Sequence, residues 1–192
     1  MVQVSTWGGK ASTAVNRGLI HDWVAGVEVP GASVKQALAM FQDYGDYPKI
    51  FAPEVTEANV LSQSGNFWEV HLRLQRKNVV TVVLDTDYEI EYRPLEKGQW
   101  AIISRSTRIS EVDKGETLPP GTGNGFLWGL NTYWLLVPRP GGLYMECRTI
   151  SLSRDIPAGL GWLIKPMVHS VSRESLREMV EEARRGLGSS RG

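Results

Sequence analysis

The sequence predicts an α+β domain in which helices cover one face of a curled antiparallel sheet, and three observations predict it. Between Glu54 and Arg154 the apolar period is two, with turn residues recurring at strand-length intervals. A capped amphipathic segment stands ahead of this region, after one strand. Behind it, apolar residues recur every three or four positions towards the C-terminus.

Residues 1–18 mix Ser, Thr and Gly with Lys10 and Arg17 and contain no acid, so a flexible arm is expected there. A single domain is expected over 19–187 and a disordered tail over 188–192. His21 to Val29 suits a strand, which Pro30 and Gly31 end. Ser33 then opens a helix with Gln36 three residues on, a capping box, and Val34, Ala37, Leu38 and Phe41 line one side. Asp43 to Phe51, holding Gly45 and Pro48, reads as a second short helix or a turn.

Six more strands follow, making a seven-stranded sheet: Val55 to Gln63, Phe67 to Gln75, Val79 to Tyr92, Gln99 to Glu111, Phe126 to Val137 and Leu143 to Ser153. Ser64-Gly65-Asn66, Arg76-Lys77-Asn78 and Glu96-Lys97-Gly98 are hairpin loops, with Asn78 suited to a left-handed position. The stretch 117–125 is the long loop. After the sheet, Leu160, Leu163, Ile164, Met167, Val168 and Val171 form one apolar set. Leu176, Met179, Val180, Ala183 and Leu187 form another, rotated by roughly 130° on a straight helix. The rotation predicts a helix broken around Ser170 to Ser172, with Ser172 capping the second piece.

With 192 residues, 42% of them hydrophobic, the chain can bury a core without metal or disulfide staples. Lys plus Arg is 21 and Asp plus Glu is 21, which removes the electrostatic footprint of a general nucleic-acid binder. Cys147 has no partner for a disulfide, and with three scattered histidines it makes no zinc site. No metal and no cofactor is expected. No apolar run approaches a membrane span, so a soluble chain is expected, cytoplasmic by default; a leader removed before Met1 would leave no trace here.

Strand alternation places Trp68, Val70, Leu72 and Leu74 opposite Glu69, His71, Arg73 and Gln75, and Tyr88 and Ile90 opposite Asp85, Asp87 and Glu89. Cross-strand ion pairs on the convex surface are preferred over a cation site at Asp85, Asp87 and Glu89, because alternate residues on one strand project in parallel. Phe126, Trp128, Leu130, Thr132, Trp134 and Leu136 form one file, with Asn131 and Tyr133 on the other. Glu146 and Arg148 are surface ion partners if they point outward and a polar handle for a ligand if they point inward. The sequence does not set the hairpin registers that decide between these. Of catalytic residues, Glu146 and Tyr133 are weak candidates only, and the histidines are expected at the surface.

The element order resembles the START-related helix-grip superfamily, also called SRPBCC, which includes polyketide cyclases, coenzyme Q-binding proteins and pollen-allergen-type proteins. The residues carrying the resemblance are the capped helix from Ser33, the Asp43-Tyr44-Gly45-Asp46-Tyr47-Pro48 segment, the Trp128 to Trp134 strand, and Arg154-Asp155-Ile156-Pro157 before the end helix. The resemblance implies a cavity between the sheet's concave face and the C-terminal helix. It favours cavity lining over core filling for Trp68, Trp128, Trp134 and Trp162. Trp162 and Met167 would form a mobile wall loosened by Gly159 and Gly161, with Tyr44 to Phe51 as the opposite lip. The expected ligand site is therefore Trp68, Tyr88, Trp128, Asn131, Trp134, Glu146, Arg148, Trp162 and Met167. The expected partner is a small hydrophobic or amphipathic molecule such as a lipid, quinone, isoprenoid or polyketide. Two alternatives stay open: a cyclase or aromatase using the same cavity, and a protein-interaction module with a solid core, exposing Trp7 or Trp23 to a partner of unknown identity.

Overall fold

One antiparallel sheet organises the molecule. The structure is a computed structural model that describes residues 1–10, 12–77, 81–124, 127–154 and 161–189, with backbone only for 161–170 and 189. The seven predicted strands are β3 (Gly18–Pro30), β4 (Val55–Ser64), β5 (Phe67–Lys77), β6 (Thr81–Pro94), β7 (Trp100–Asp113), β9 (Gly129–Arg139) and β10 (Gly142–Arg154). Three short strands join them: β1 (Gln3–Thr6), β2 (Thr13–Val15) and β8 (Glu116–Thr117). Their order is β1-β3-β10-β9-β7-β6-β5-β4, with β2 also on β3 and β8 on β7.

The expected flexible arm is corrected by β1, whose Gln3 to Thr6 pair with Gly26 to Trp23. Pairing satisfies backbone groups along the β3 edge, and Val2 is buried in the core, which offsets the ordering cost. Register shifts at Val55/Glu57 and Val60/Ser62, and at Asp87/Tyr88 between β6 and β7, are bulges that bend the strands around one face.

Between β3 and β4 lie α1 (Val34–Gln42) and α2 (Tyr47–Ile50). The capping box is present: the Gln36 amide donates to Ser33 Oγ at 3.2 Å and the Ser33 amide to Gln36 Oε1 at 2.9 Å. Ala37, Met40 and Phe41 are buried on the sheet side. The C-terminal helix α3 runs without interruption from Gly161 to Ser189, so the expected break at Ser170 to Ser172 is absent, and Gly188 and Ser189, expected in a disordered tail, are helical. Serine in a helix interior costs only about 0.5 kcal/mol, less than interrupting the backbone hydrogen bonds. Leu176, Val180, Ala183 and Leu187 are buried, giving the helix a continuous apolar seam against the sheet.

Candidate ligand-binding face

The paired strands decide which side chains meet beneath the helices. In β5 and β6 the pairs Trp68↔Ile90, Val70↔Tyr88 and Leu72↔Thr86 share the inner face, as do Ile102↔Trp134 and Ser104↔Thr132 of β7 and β9. Along β3 and β10 the inner residues include Trp23, Ala25 and Val27, and Met145, Cys147 and Thr149.

This inner face has two ends of different character. At one, α1 and the Leu176 to Leu187 stretch of α3 close over Trp134, Leu136, Leu143 and Met145. Phe41 packs on Trp134 with ring centroids 4.8 Å apart, and Trp68 meets Tyr44 and Tyr92 at 5.6 and 5.8 Å. The Tyr92 hydroxyl donates to the Phe41 carbonyl at 2.6 Å and lies 2.7 Å from the Tyr44 hydroxyl. Tyr44 and Phe51 are thus core residues, not the lip of an entrance. At the other end the inward residues Leu72, Leu74, Ser104, Ser106, Leu130 and Thr132 are only half-buried. Hydroxyls alternate there with aliphatic groups.

Polar atoms at the second end are unusual. His21 is buried, with Nε2 3.2 Å from Ser153 Oγ. Glu111 is buried on the inner face and accepts from the Asn124 amide at 2.7 Å and Asn124 Nδ2 at 3.3 Å. The indole N–H groups of Trp23 and Trp128 here, and of Trp68 at the closed end, are buried and have no acceptor among the described residues. A buried donor without an acceptor costs about 1–3 kcal/mol, so three of them ask for an explanation in water or ligand. Burial also pushes the Tyr88 hydroxyl up to about 12, so it stays protonated and able to donate.

Of the residues expected at the site, Trp68, Tyr88 and Trp134 face inward, and Trp128 stands at the rim just ahead of β9. Asn131, Tyr133, Glu146 and Arg148 lie on the opposite face, because Leu136, Trp134 and Thr132 take the inward positions of β9, and Met145, Cys147 and Thr149 those of β10. That corrects their place in the expected pocket. There, Arg148 binds Asp22 through two hydrogen bonds of 2.8 and 2.6 Å beneath the Trp7 ring, and Glu146 accepts from Tyr144 at 2.9 Å. The side chains of Trp162 and Met167 lie outside the described residues, as do Asn78, Phe126 and Gly159.

The convex face carries the ion pairs that strand alternation suggested. Arg73 binds Asp85 at 2.7 and 3.1 Å, and Asp87 takes His71 at 2.7 Å and Arg108 at 2.6 Å. Cys147 is fully buried, and burial pushes its thiol well up, which leaves it protonated and unreactive. Sequence reasoning missed His21, Glu111 and Trp23. A signal existed for two of them: His21 and Trp23 share parity with Ala25, Val27 and Val29 on β3, so an apolar alternation read from the strand's far end turns them inward. Trp23, expected as part of an exposed patch, is 7% exposed. Glu111 offered no such signal, because the Asp87/Tyr88 bulge resets the pairing ahead of it.

No protein-family model matches the chain, and no curated protein matches its sequence. Its fold does have counterparts among solved structures. A STAR-related lipid transfer protein fragment from Xanthomonas axonopodis is 14% identical over 93% of this chain and 99% of that one, with a TM-score of 0.65. A START superfamily protein from Mycobacterium smegmatis is 13% identical over 88% and 99%, with a TM-score of 0.59. The ZhuI aromatase/cyclase from a Streptomyces species is 14% identical over 89% and 93%, with a TM-score of 0.53. The chain has the START-related helix-grip fold. Among the described residues no helix is long and apolar enough to cross a membrane.

Proposed function

We propose that the protein binds a small hydrophobic or amphipathic molecule between the inner face of the sheet and α3. The observation that carries this reading is the second end of the inner face, where half-buried Leu72, Leu74 and Leu130 alternate with Thr132, Ser104 and Ser106, beside the buried Trp23 and Trp128 indole donors, which have no acceptor among the described residues. Apolar walls with a few fixed polar groups are what a largely apolar ligand requires. Burial of the ligand contributes about 25 cal/mol per Å² before ordering costs, and the hydroxyls and indoles set its orientation. The likeness in fold to a lipid transfer protein and an aromatase/cyclase supports the same class of ligand.

Native mass spectrometry of the purified protein, followed by solvent extraction after unfolding, tests the proposal. A defined small molecule released only on unfolding is expected. Thr132→Trp fills the half-buried end and should lower affinity for an apolar fluorescent probe at least tenfold while the fold persists. Absence of both an adduct and saturable probe binding in the wild type overturns the reading.

A further inference from the structure

At the rim of the sheet, beside the proposed ligand space, a half-open depression of about 460 Å³ is lined by Asn16, Arg17, Gly121, Gly123, Trp128 and Arg154. Three separate pieces of chain meet there. Asn16 and Arg17 form the two-residue turn between β2 and β3, since Val15 pairs with Gly18. Gly18 in turn pairs with Arg154 at the end of β10, which brings the second arginine to the same place. The third piece is the loop after β8, carrying Gly121 and Gly123, both at positive φ.

Among the described residues the lining holds two cations and no carboxylate. Elsewhere Arg73, Arg76, Arg108 and Arg148 each grip an acid, but neither Arg17 nor Arg154 has an acidic partner among the described residues. Both are exposed. Arg17 has φ 63°, a conformation in which glycine or asparagine is ordinarily found. Turn geometry alone disfavours arginine at this position. Glu111 lies behind Gly123 with its carboxylate engaged by Asn124, so it holds the loop in place. The Leu118 amide, donating to the Glu111 carbonyl at 2.8 Å, fixes the loop's other end. Trp128 adds a buried indole donor with no acceptor among the described residues.

We infer that this depression is an anion-binding site that takes the phosphate or carboxylate group of a small molecule between Arg17 and Arg154. Guanidinium groups match such oxyanions with paired N–H donors, and the Trp128 ring walls the depression beside them. Because the site adjoins the inner face, the anion is either the head of an amphiphile whose chain lies under α3, which rests on the function proposed above, or a free anion.

The test titrates the full chain, ¹⁵N-labelled at tryptophan, with inorganic phosphate, hexadecyl phosphate and hexadecanol while following the Trp128 indole resonance. Saturable movement with a phosphate species is expected, weakened at least tenfold in R17G/R154Q. Glycine relieves the positive φ at position 17, so the melting temperature of R17G alone should equal or exceed that of the wild type. Loss of binding in that variant is then loss of charge and not of fold, and Arg154→Lys should retain part of the response. A tenfold preference for hexadecyl phosphate over hexadecanol that disappears in the double variant assigns the site to a headgroup. Saturation by inorganic phosphate without that preference assigns it to a free anion. Failure of hexadecanol to bind counts against the function proposed above and leaves the phosphate arm to judge the rim. A Trp128 resonance unmoved by either phosphate species, or moved equally in wild type and double variant, overturns the inference.

Discussion

The two ends of the inner face are made from the same strands but solve different problems. At the closed end every large group has a neighbour: Leu136, Leu143 and Met145 are fully buried, and the Tyr92 hydroxyl is held by Phe41 and Tyr44. At the other end aliphatic side chains remain half-buried, and the Trp23 and Trp128 indole donors have no acceptor among the described residues. A packed interior tolerates neither condition. The contrast teaches that stability is concentrated where α1 and the Leu176 to Leu187 half of α3 seat, with the rest of the face less tightly packed, where we propose the ligand lies.

That division can be broken first at its strongest point. Leu136→Ala at the closed end removes a fully buried side chain and should cost about 2–5 kcal/mol in a denaturant titration. Tyr92→Phe should cost about 0.5–1.5 kcal/mol, since it removes one of the two hydroxyl donors to the Phe41 carbonyl, Tyr47 being the other, and a partner from Tyr44. A loss below half a kcal/mol in either would show that the closed end is not the stabilising region.

Glu182 sharpens the comparison through pH. It sits buried on α3, where burial and then the neighbouring Glu54 charge raise its carboxyl from the usual 4.5 to about 7, only partly offset by Arg185 at 3.9 Å. The folded state therefore favours the protonated form. Its contribution is full below about pH 4.5 and is lost as pH rises through about 7, on the order of 1 kcal/mol once solvent screening is allowed for. Glu182→Gln should flatten this part of the stability profile between pH 5 and 8. An unchanged profile in that variant would place the titration elsewhere. Arg76, which bridges Glu54 at 2.8 Å and also holds Glu178, ties the same stretch of α3 to the sheet.

The smallest effects are expected at the second end and on the outer surface. Leu72→Ala, at a half-buried position, should cost less than Leu136→Ala, about 1 kcal/mol, while changing affinity for an apolar probe. Arg148→Ala on the convex face should shift stability by about 1 kcal/mol or less, with an effect that shrinks in high salt. It should leave probe binding unchanged; a loss of binding would put Arg148 back among the ligand contacts.

Much of this molecule is determined by its sequence alone. The seven long strands follow from a period of two between turn residues, and α1 from the Ser33 and Gln36 pair, because both depend on neighbours within a few positions. The apolar seam of α3 from Leu176 to Leu187 is equally local. Strand parity is not local. Glu146 and Arg148 alternate the same way whichever side faces the helices, and only the pairing of Met145 with Val27 and Leu136 turns them to the outer surface, towards Asp22. The N-terminal segment likewise carries no strong period of its own and becomes a strand because β3 offers it an edge. The meeting of Arg17 with Arg154, 137 positions apart in the chain, exists only once Gly18 has found its partner across the sheet. Local period and capping are short-range properties that a sequence states directly, whereas facing and convergence depend on long-range register, which the tertiary structure supplies.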